Sequence, residues 1–154
     1  MNQSGSCSKN MRVVLQRVSK AACWVGDEKV AEIGRGILLL VGIEKGDTME
    51  AIEYIANKCA NLRIFEDSAG KMNLNVIDIG GEALAISQFT LAANIRKGRR
   101  PSFDNAMSPD QAIQLYERFV DTLNQYVPTK KGVFGAKMAI ELINDGPVTF
   151  VLER

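Results

Sequence analysis

The chain has 154 residues, of which 46% are hydrophobic and 24% are charged, and it contains no histidine. Its length and composition predict one soluble globular domain, and its net charge of +1 does not by itself indicate a nucleic-acid partner. The lack of histidine excludes Ser-His-Asp triads, Cys-His dyads and histidine-ligated metals, so an enzyme with this sequence must use other groups.

The first ten residues, MNQSGSCSKN, are small and polar and lack the apolar segment of a signal peptide. We expect residues 1–10 to be a disordered leader or a remnant of cloning, and residues 11–154 to form the single domain. No apolar run is long enough to span a bilayer. We therefore predict a cytoplasmic protein without membrane attachment.

The cysteines Cys7, Cys23 and Cys59 are the candidates for a disulfide or a metal site. Their number is odd, their spacing is wide, and no C-x-x-C pair occurs. The pattern indicates buried or free thiols in a reducing compartment. We predict no metal site and no cofactor.

In chain order, the first half of the domain predicts four strands followed by a helix. Alternating or continuous apolar residues place the strands at 13–18, 22–25, 29–33 and 37–41. A turn at 26–27 joins the second and third strands as a hairpin. Apolar residues at helical spacing predict an amphipathic helix over 48–61, with Asp47 as its N-cap. A strand over 62–65 and a loop over 67–70 follow.

The second half predicts more strands and a second helix. The strands lie at 83–91, 137–143 and 148–153, the last two joined by a turn at 144–147. A helix begins with Ser108 as cap, Pro109 at its first position and Gln111 closing a capping box, and it ends near Tyr126. Because strands and helices do not alternate regularly, the sequence predicts an α+β fold.

Three segments carry residues that suit chemistry or binding. The first, Ser87 to Leu91, ends a hydrophobic strand, where binding groups are common. A serine or threonine nucleophile there needs a base, and no spacing selects a lysine or a carboxylate for that role. Taken alone, the segment is better explained as an edge strand with alternating polar positions.

The second segment, 144–149, has the sequence N-D-G-P-V-T. It is typical of a tight turn in a hairpin, and its Gly-Pro pair also presents backbone carbonyls without side-chain cover. The third segment is a Gly/Pro-broken loop over 94–105 with four cations in five positions. These are Arg96, Lys97, Arg99 and Arg100. They form either a solvated loop or a contact for a phosphate backbone.

Together these segments resemble the D-aminoacyl-tRNA deacylase family, of the D-tyrosyl-tRNA deacylase type. The resemblance runs from Met11 to about Arg154 and rests on two intact signature motifs, S-Q-F-T at 87–90 and N-x-G-P-x-T at 144–149. Further matching segments are 12–18, 63–65, 70–73 and 98–103. The resemblance implies an α+β fold with a mostly antiparallel, barrel-like sheet and two main helices.

The resemblance also implies an esterase that cleaves D-amino acids from the 3′-terminal adenosine of tRNA, in a homodimer with two sites at the interface. Gly146 and Pro147, joined by a cis bond, would form a chiral gate in the partner's site, within the motif that includes Asn144 and Thr149. The gate excludes L side chains by lack of space. Glycine has no side chain to exclude, so glycyl-tRNA is an expected substrate.

In such a site, the backbone N–H groups of Phe89 and Thr90 are the candidates for stabilising the oxyanion, and the ribose 2′-hydroxyl would assist water. Thr90 is expected to orient the substrate; the alternative is a covalent nucleophile. Ser87 and Gln88 would contact the adenosine or the amino acid.

Phe134 and Met138 either wall the adenine pocket or are ordinary core residues. The alternative function is a non-catalytic nucleic-acid-binding protein, since some eukaryotic relatives are linked to replication-origin DNA.

Overall fold

The computed structural model describes residues 11–154. Its elements in chain order are β1 (Arg12–Val25), β2 (Glu28–Ile33), β3 (Gly36–Gly42), α1 (Met49–Asn61), β4 (Phe65–Glu66), β5 (Met72–Leu74), β6 (Glu82–Ser87), a 3₁₀ helix (Phe89–Ala92), α2 (Pro109–Asn124), β7 (Thr129–Lys131) and β8 (Ala139–Glu153). Residues 1–10, for which we predicted a leader, lie outside the described residues, and so does Cys7.

The main sheet has the order β2-β1-β3-β6-β7, and β8 pairs with β1; β4 and β5 form a separate pair. Strand β1 is antiparallel to β2, β3 and β8, whereas β3–β6 and β6–β7 are parallel pairs. The α+β class is confirmed, with a mixed sheet in which the long pairings of β1 are antiparallel.

Two hydrophobic clusters lie on the two sides of the curved sheet. The larger one packs α1 and α2 against the sheet and includes Ile52, Tyr116 and Phe119. The smaller one fills the opposite side and includes Cys23 and Leu84. Both helices thus cover one side of the sheet, because their apolar stripes face the same surface.

Strand β1 is one continuous strand, so the prediction of separate strands at 13–18 and 22–25 is wrong. The exposed Ser19 and Lys20 interrupt the apolar pattern but stay within the strand. The hairpin itself is confirmed, with Val25 opposite Glu28 across the turn.

Strand β8 also continues from Ala139 to Glu153, so the predicted hairpin turn at 144–147 is wrong. Both halves of β8 pair antiparallel with β1 and therefore run in the same direction. Gln16 lies opposite Thr149 and Val18 lies opposite Asn144, so one β1 residue faces four residues of β8. Residues 145–148 consequently leave the ladder as a bulge.

The predicted strand over 83–91 is also wrong in its second half. Strand β6 pairs with β3 only as far as Ser87, and β3 itself ends at Gly42. Beyond that point the chain turns into the 3₁₀ helix, with hydrogen bonds from Leu91 N to Gln88 O and from Ala93 N to Thr90 O. The strand over 62–65 is reduced to the two residues of β4, while β5 and β7 were not predicted.

Both α-helices are confirmed, but their caps differ from the prediction. Thr48, not Asp47, caps α1: its Oγ1 accepts from Ala51 N at 3.2 Å. Helix α2 begins at Pro109 as expected, but the Ser108 hydroxyl contacts Gln111 Oε1 at 3.4 Å and caps no backbone N–H. A full capping box is therefore not formed.

The cysteine prediction is confirmed for the two described thiols. Cys23 and Cys59 are free and buried, and burial raises the pKa of Cys59 to about 12. Between residues 11 and 154, no helix is both long enough and apolar enough to cross a membrane.

Candidate functional site

A cavity of about 750 Å³ opens where the end of β6, the 3₁₀ helix, the segment before α2 and the segment before β8 meet. It contains six of the predicted site residues: Ser87, Gln88, Phe89, Thr90, Phe134 and Met138. Phe103 and Met107 line it as well, although neither was a predicted site residue and only Phe103 lay in a matching segment, 98–103. The S-Q-F-T motif therefore lies at the wall of the cavity rather than on a plain edge strand.

The lining of this cavity is uncharged. Within the described range, none of its side chains is ionisable; its polar side chains are Ser87, Gln88, Thr90 and Ser108. Such a site has no side chain that serves as a general base near neutral pH. Chemistry here must rest on backbone groups, hydroxyls and groups that the substrate brings.

The hydroxyl of Thr90 has one clear partner. Gln88 Nε2 donates to Thr90 Oγ1 at 3.1 Å, and Thr90 itself is exposed. Because an amide donor occupies one lone pair, the hydroxyl keeps its proton to donate to a bound group. This arrangement suits orientation of a substrate better than deprotonation of Thr90.

The backbone N–H groups of Phe89 and Thr90 are the other polar groups at this wall. They occupy the first two positions of the 3₁₀ helix, where N–H groups have no partner inside the helix. Among residues 11–154, neither of these N–H groups donates a hydrogen bond. Two adjacent free donors are suited to a developing negative charge.

Two residues outside the predicted site, Gly42 and Arg12, position the 3₁₀ helix, and only Arg12 lay in a matching segment, 12–18. Gly42 lies directly beneath it: a Cβ added to Gly42 would be 2.6 Å from Leu91 Cβ and 3.2 Å from Gln88 O. Arg12 Nη1 donates to Leu91 O at 3.1 Å. The only sequence signal for Gly42 was a glycine at the end of a buried strand.

The opposite wall is fixed to the end of β3. Met107 N donates to Ile43 O at 3.3 Å, and Lys45 N donates to Asn105 O at 2.9 Å. Between them Glu44 is only 4% exposed, and burial raises its pKa to about 7. This backbone ladder holds Met107 beside the cavity.

The buried Glu44 and the half-buried Asp47 place two carboxyls behind this wall. Asp47 accepts from Glu44 N at 2.8 Å, and burial raises its pKa to about 6. Glu44 Oε1 and Asp47 Oδ1 have no hydrogen-bond partner among residues 11–154. Burial and the missing partners both disfavour the charged form of these two carboxyls.

The Gly146–Pro147 segment does not line this cavity in its own chain; nor do Asn144 and Thr149. The Gly146–Pro147 bond is cis, as the resemblance implied. Asn144 Oδ1 accepts from Val148 N at 2.7 Å, so the asparagine side chain closes the bulge across its base. Asn144 Nδ2 also donates to Thr149 Oγ1 at 3.2 Å.

The buried Arg17 supports the same bulge from the sheet. Its Nε donates to Asp145 O at 2.8 Å and its Nη1 donates to Ile64 O at 2.8 Å. The guanidinium also lies 5.9 Å from the centre of the Phe65 ring. Arg17 is the β1 residue that faces the four bulged residues. In the sequence, its only signal was its place in the matching segment 12–18.

Phe134 and Met138 lie where the cavity meets the core, and the predicted adenine contact stays a prediction. Each lines the cavity, and each also packs on a hydrophobic cluster, Phe134 on the larger and Met138 on the smaller. The Phe134 ring lies 5.8 Å from that of Tyr116. Core packing thus holds both side chains in place at the cavity wall.

The basic loop begins at the rim of the cavity. Asn94 and Ser102 close its base through two backbone hydrogen bonds of 2.7 and 2.9 Å. Arg96, Lys97, Arg99 and Arg100 are exposed, and none forms a salt bridge within residues 11–154. The loop is confirmed as a loop, and its cations are available to a partner.

Comparison with known proteins gives consistent matches over nearly the whole described chain. The model of the family "D-Tyr-tRNA(Tyr) deacylase" matches residues 14–153. A D-aminoacyl-tRNA deacylase of Geotalea uraniireducens (strain Rf4) is 56% identical over 144 residues, which are 93% of this chain and 93% of the relative. One of Persephonella marina (strain DSM 14350 / EX-H1) is 55% identical over 143 residues, which are 93% of this chain and 97% of the relative.

Two solved structures share the fold. The c-Myc DNA Unwinding Element Binding Protein superposes with a TM-score of 0.88 at 44% identity, covering 93% of this chain and 98% of the other. A probable eukaryotic D-amino acid tRNA deacylase superposes with a TM-score of 0.82 at 19% identity, covering 94% and 100%. The latter likeness concerns the fold alone. From the family model and the close relatives together, this chain belongs to the D-Tyr-tRNA(Tyr) deacylase family.

Proposed function

We propose that this protein hydrolyses the ester bond of D-aminoacyl-tRNA and releases the free amino acid and tRNA, as chiral proofreading in translation. The observation that carries the proposal is the S-Q-F-T motif at the wall of an uncharged cavity, in a chain 56% identical to a D-aminoacyl-tRNA deacylase. An aminoacyl ester is already activated, so positioning and oxyanion stabilisation suffice without a strong base.

In the proposed reaction, the terminal adenosine occupies the cavity beside Phe134 and Met138, and Ser87 and Gln88 contact the adenosine or the amino acid. Water attacks the ester carbonyl with help from the neighbouring ribose 2′-hydroxyl. The N–H groups of Phe89 and Thr90 stabilise the oxyanion. Thr90 orients the substrate, an arrangement supported by the Gln88 donor on its hydroxyl.

Stereoselectivity is proposed to come from a second copy of the chain, whose Gly146 and Pro147 enter this cavity. Three large apolar side chains of β8 support a homodimer because they are exposed: Ile143 (51%), Phe150 (39%) and Val151 (60%). Sedimentation of Ile143→Asp is the test, with a monomer expected. A wild-type protein that sediments as a monomer at assay concentrations contradicts this arrangement.

A gate that works by excluding L side chains predicts that glycyl-tRNA is hydrolysed too, because glycine has no side chain for the gate to exclude. The assay is release of glycine from glycyl-tRNA under the same conditions as release of D-tyrosine. Complete resistance of glycyl-tRNA argues against exclusion as the principle of the gate.

The basic loop is proposed to contact the tRNA backbone, and the tRNA substrate supports a cytoplasmic location. Replacing Arg99 and Arg100 by alanine removes two cations and should reduce the salt dependence of tRNA binding. If the slope of log affinity against log salt concentration is unchanged, the loop is a solvated loop that does not contact tRNA.

The decisive experiment is release of D-tyrosine from D-tyrosyl-tRNA by the purified protein, with L-tyrosyl-tRNA as the control. We expect rapid release from the D form and little from the L form. No D-selective release overturns the proposed function. Gly146→Ala is a useful companion, since an added Cβ would lie 2.6 Å from Val148 Cγ2 and disturb the gate.

A second candidate function is non-catalytic binding of nucleic acid, favoured by the 44% identity to a protein named for binding a DNA unwinding element. Both functions use the basic loop, but only the enzyme needs the two signature motifs. Tight DNA binding without any deacylation favours this candidate; deacylation that DNA does not inhibit favours the enzyme.

A further inference from the structure

Two aromatic rings stand at the mouth of the cavity with a large part of their surface exposed. Phe89 is 58% exposed and Phe103 is 40% exposed, and their ring centres lie 5.1 Å apart at an interplanar angle of 56°. Large exposed aromatic side chains are costly in water, and adjacent ones mark a surface that binds something. Both rings also line the cavity, so their exposed faces are continuous with its wall.

The rings lie beside the base of the basic loop. Phe103 follows Ser102, which closes the loop against Asn94. The loop carries four exposed cations over Arg96–Arg100, and the segment 94–105 contains one acid, Asp104. Aromatic faces next to unpaired cations are the combination that binds single-stranded nucleic acid, with bases stacked on rings and phosphates beside cations.

We propose that Phe103, with Phe89, forms a stacking platform for the base that precedes the terminal adenosine in the single-stranded 3′ end of tRNA. This inference rests on the proposed function, which puts the terminal adenosine inside the cavity. The base before it then lies at the mouth, where the platform is, and its phosphates face the loop. Charge complementarity and continuity with the cavity favour this occupant over a second copy of the chain.

The test compares two D-tyrosyl esters: one of adenosine alone, and one of a short RNA hairpin that ends in CCA. For Phe103→Ala, we expect kcat/KM for the hairpin ester to fall about tenfold more than for the adenosine ester, the effect of one lost base–aromatic stack. Phe103→Leu, which keeps apolar bulk without a π face, should show the same preferential loss if the alanine variant folds poorly. Phe103→Trp should restore the hairpin reaction.

Tyr54→Ala is the matched control, because Tyr54 is a comparably exposed aromatic residue (42%) on α1, away from the cavity lining. For Tyr54→Ala, we expect the ratio of kcat/KM for the hairpin ester to kcat/KM for the adenosine ester to equal that of the wild type. The salt dependence of the hairpin reaction should also stay unchanged in Phe103→Ala, since stacking releases no counterions.

The outcomes separate the inference from the proposed function. If the wild type hydrolyses neither ester, the function itself is wrong. If Phe103→Ala and Phe103→Leu lower both reactions equally, Phe103 only shapes the cavity and the platform is wrong. If both variants sediment as monomers while the wild type is a dimer, the occupant of the rings is a second copy, which also overturns the platform.

Discussion

The role of Thr90 can be decided by removing one hydroxyl. Its neighbours in the cavity are uncharged, and Gln88 donates to it. We expect Thr90→Ala to lose no more than about tenfold in kcat, the effect of one lost hydrogen bond. Single-turnover assays with D-tyrosyl-tRNA measure this loss. Complete inactivity, or an acyl-enzyme trapped on the wild type, would identify Thr90 as a nucleophile.

Arg17 is a second residue whose effect follows from its contacts. It is 6% exposed and donates to two backbone carbonyls, at Asp145 and Ile64. Arg17→Met leaves both carbonyls without this donor and should lower the free energy of unfolding by about 1–3 kcal/mol. Urea unfolding measures the stability.

The ratio of D- to L-tyrosyl-tRNA hydrolysis measures the effect of Arg17 on the bulge. We expect Arg17→Met to reduce this ratio, because Asp145 directly precedes Gly146. Arg12→Met is the comparison, since Arg12 contacts the 3₁₀ helix rather than the bulge. An unaltered D/L ratio in Arg17→Met contradicts a positioning role.

At the scale of elements, the 3₁₀ helix depends on close approach to the end of β3. A Cβ at Gly42 would lie 2.6 Å from Leu91 Cβ, so Gly42→Ala must displace the helix that carries the Phe89 and Thr90 N–H groups. We expect kcat to fall by about 10²-fold, as when an oxyanion donor is lost. Gly34→Ala is the control, because its Cβ would meet only Glu82 Oε1 at an ordinary 3.8 Å.

If Gly42→Ala retains wild-type kcat and stability, the 3₁₀ helix is not held by this contact. Circular dichroism and thermal unfolding distinguish a displaced site from an unfolded chain. We expect the variant to remain folded, because Leu91 is only half-buried.

The elements also show what sequence patterns reveal about this fold. The β1–β2 hairpin, the buried β3 and both helices follow from local periodicity, because each is decided by its own residues. The end of β6 does not follow from local periodicity, because β6 ends where its pairing with β3 ends. Local patterns also predict two strands each where the structure has the single strands β1 and β8. The pairing between these two strands keeps each of them extended across its polar residues.

The site divides in the same way. The S-Q-F-T residues were identified from a motif, whereas Phe103, Met107, Gly42 and Arg17 act through contacts distant in sequence. No periodicity marks Gly42 as the residue beneath a helix that begins 47 positions further along the chain, at Phe89. Their roles became visible only with the three-dimensional arrangement.

For the whole molecule, the buried carboxyls predict how stability changes with pH. Burial raises the pKa of Glu44 to about 7 and that of Asp47 to about 6. The nearby Arg12 offsets only part of the rise at Glu44. Between about pH 4 and pH 7 the folded protein thus holds more protons on these groups than the unfolded chain. Stability should therefore fall as pH rises through this window.

Urea unfolding at several pH values measures this slope. Glu44→Gln removes one of the two titrating groups and should flatten the fall, while Glu117→Gln, an exposed carboxyl on α2, should leave it unchanged. A wild-type protein whose stability rises from pH 4 to pH 7 contradicts the raised pKa values of these two carboxyls.

The pairing of β1 with β8 sets the order in which the molecule is completed. Arg12 lies opposite Glu153, so the pairing of the first described strand is complete only when the last strand has been added. During synthesis, β1 emerges early with one edge already pairing with β2 and β3, and the other edge stays open until residues 139–153 have left the ribosome. Such long sequence separation slows folding and leaves a strand edge available to other nascent chains. An enzyme proposed to guard translation would itself be most exposed to misassembly while it is being translated.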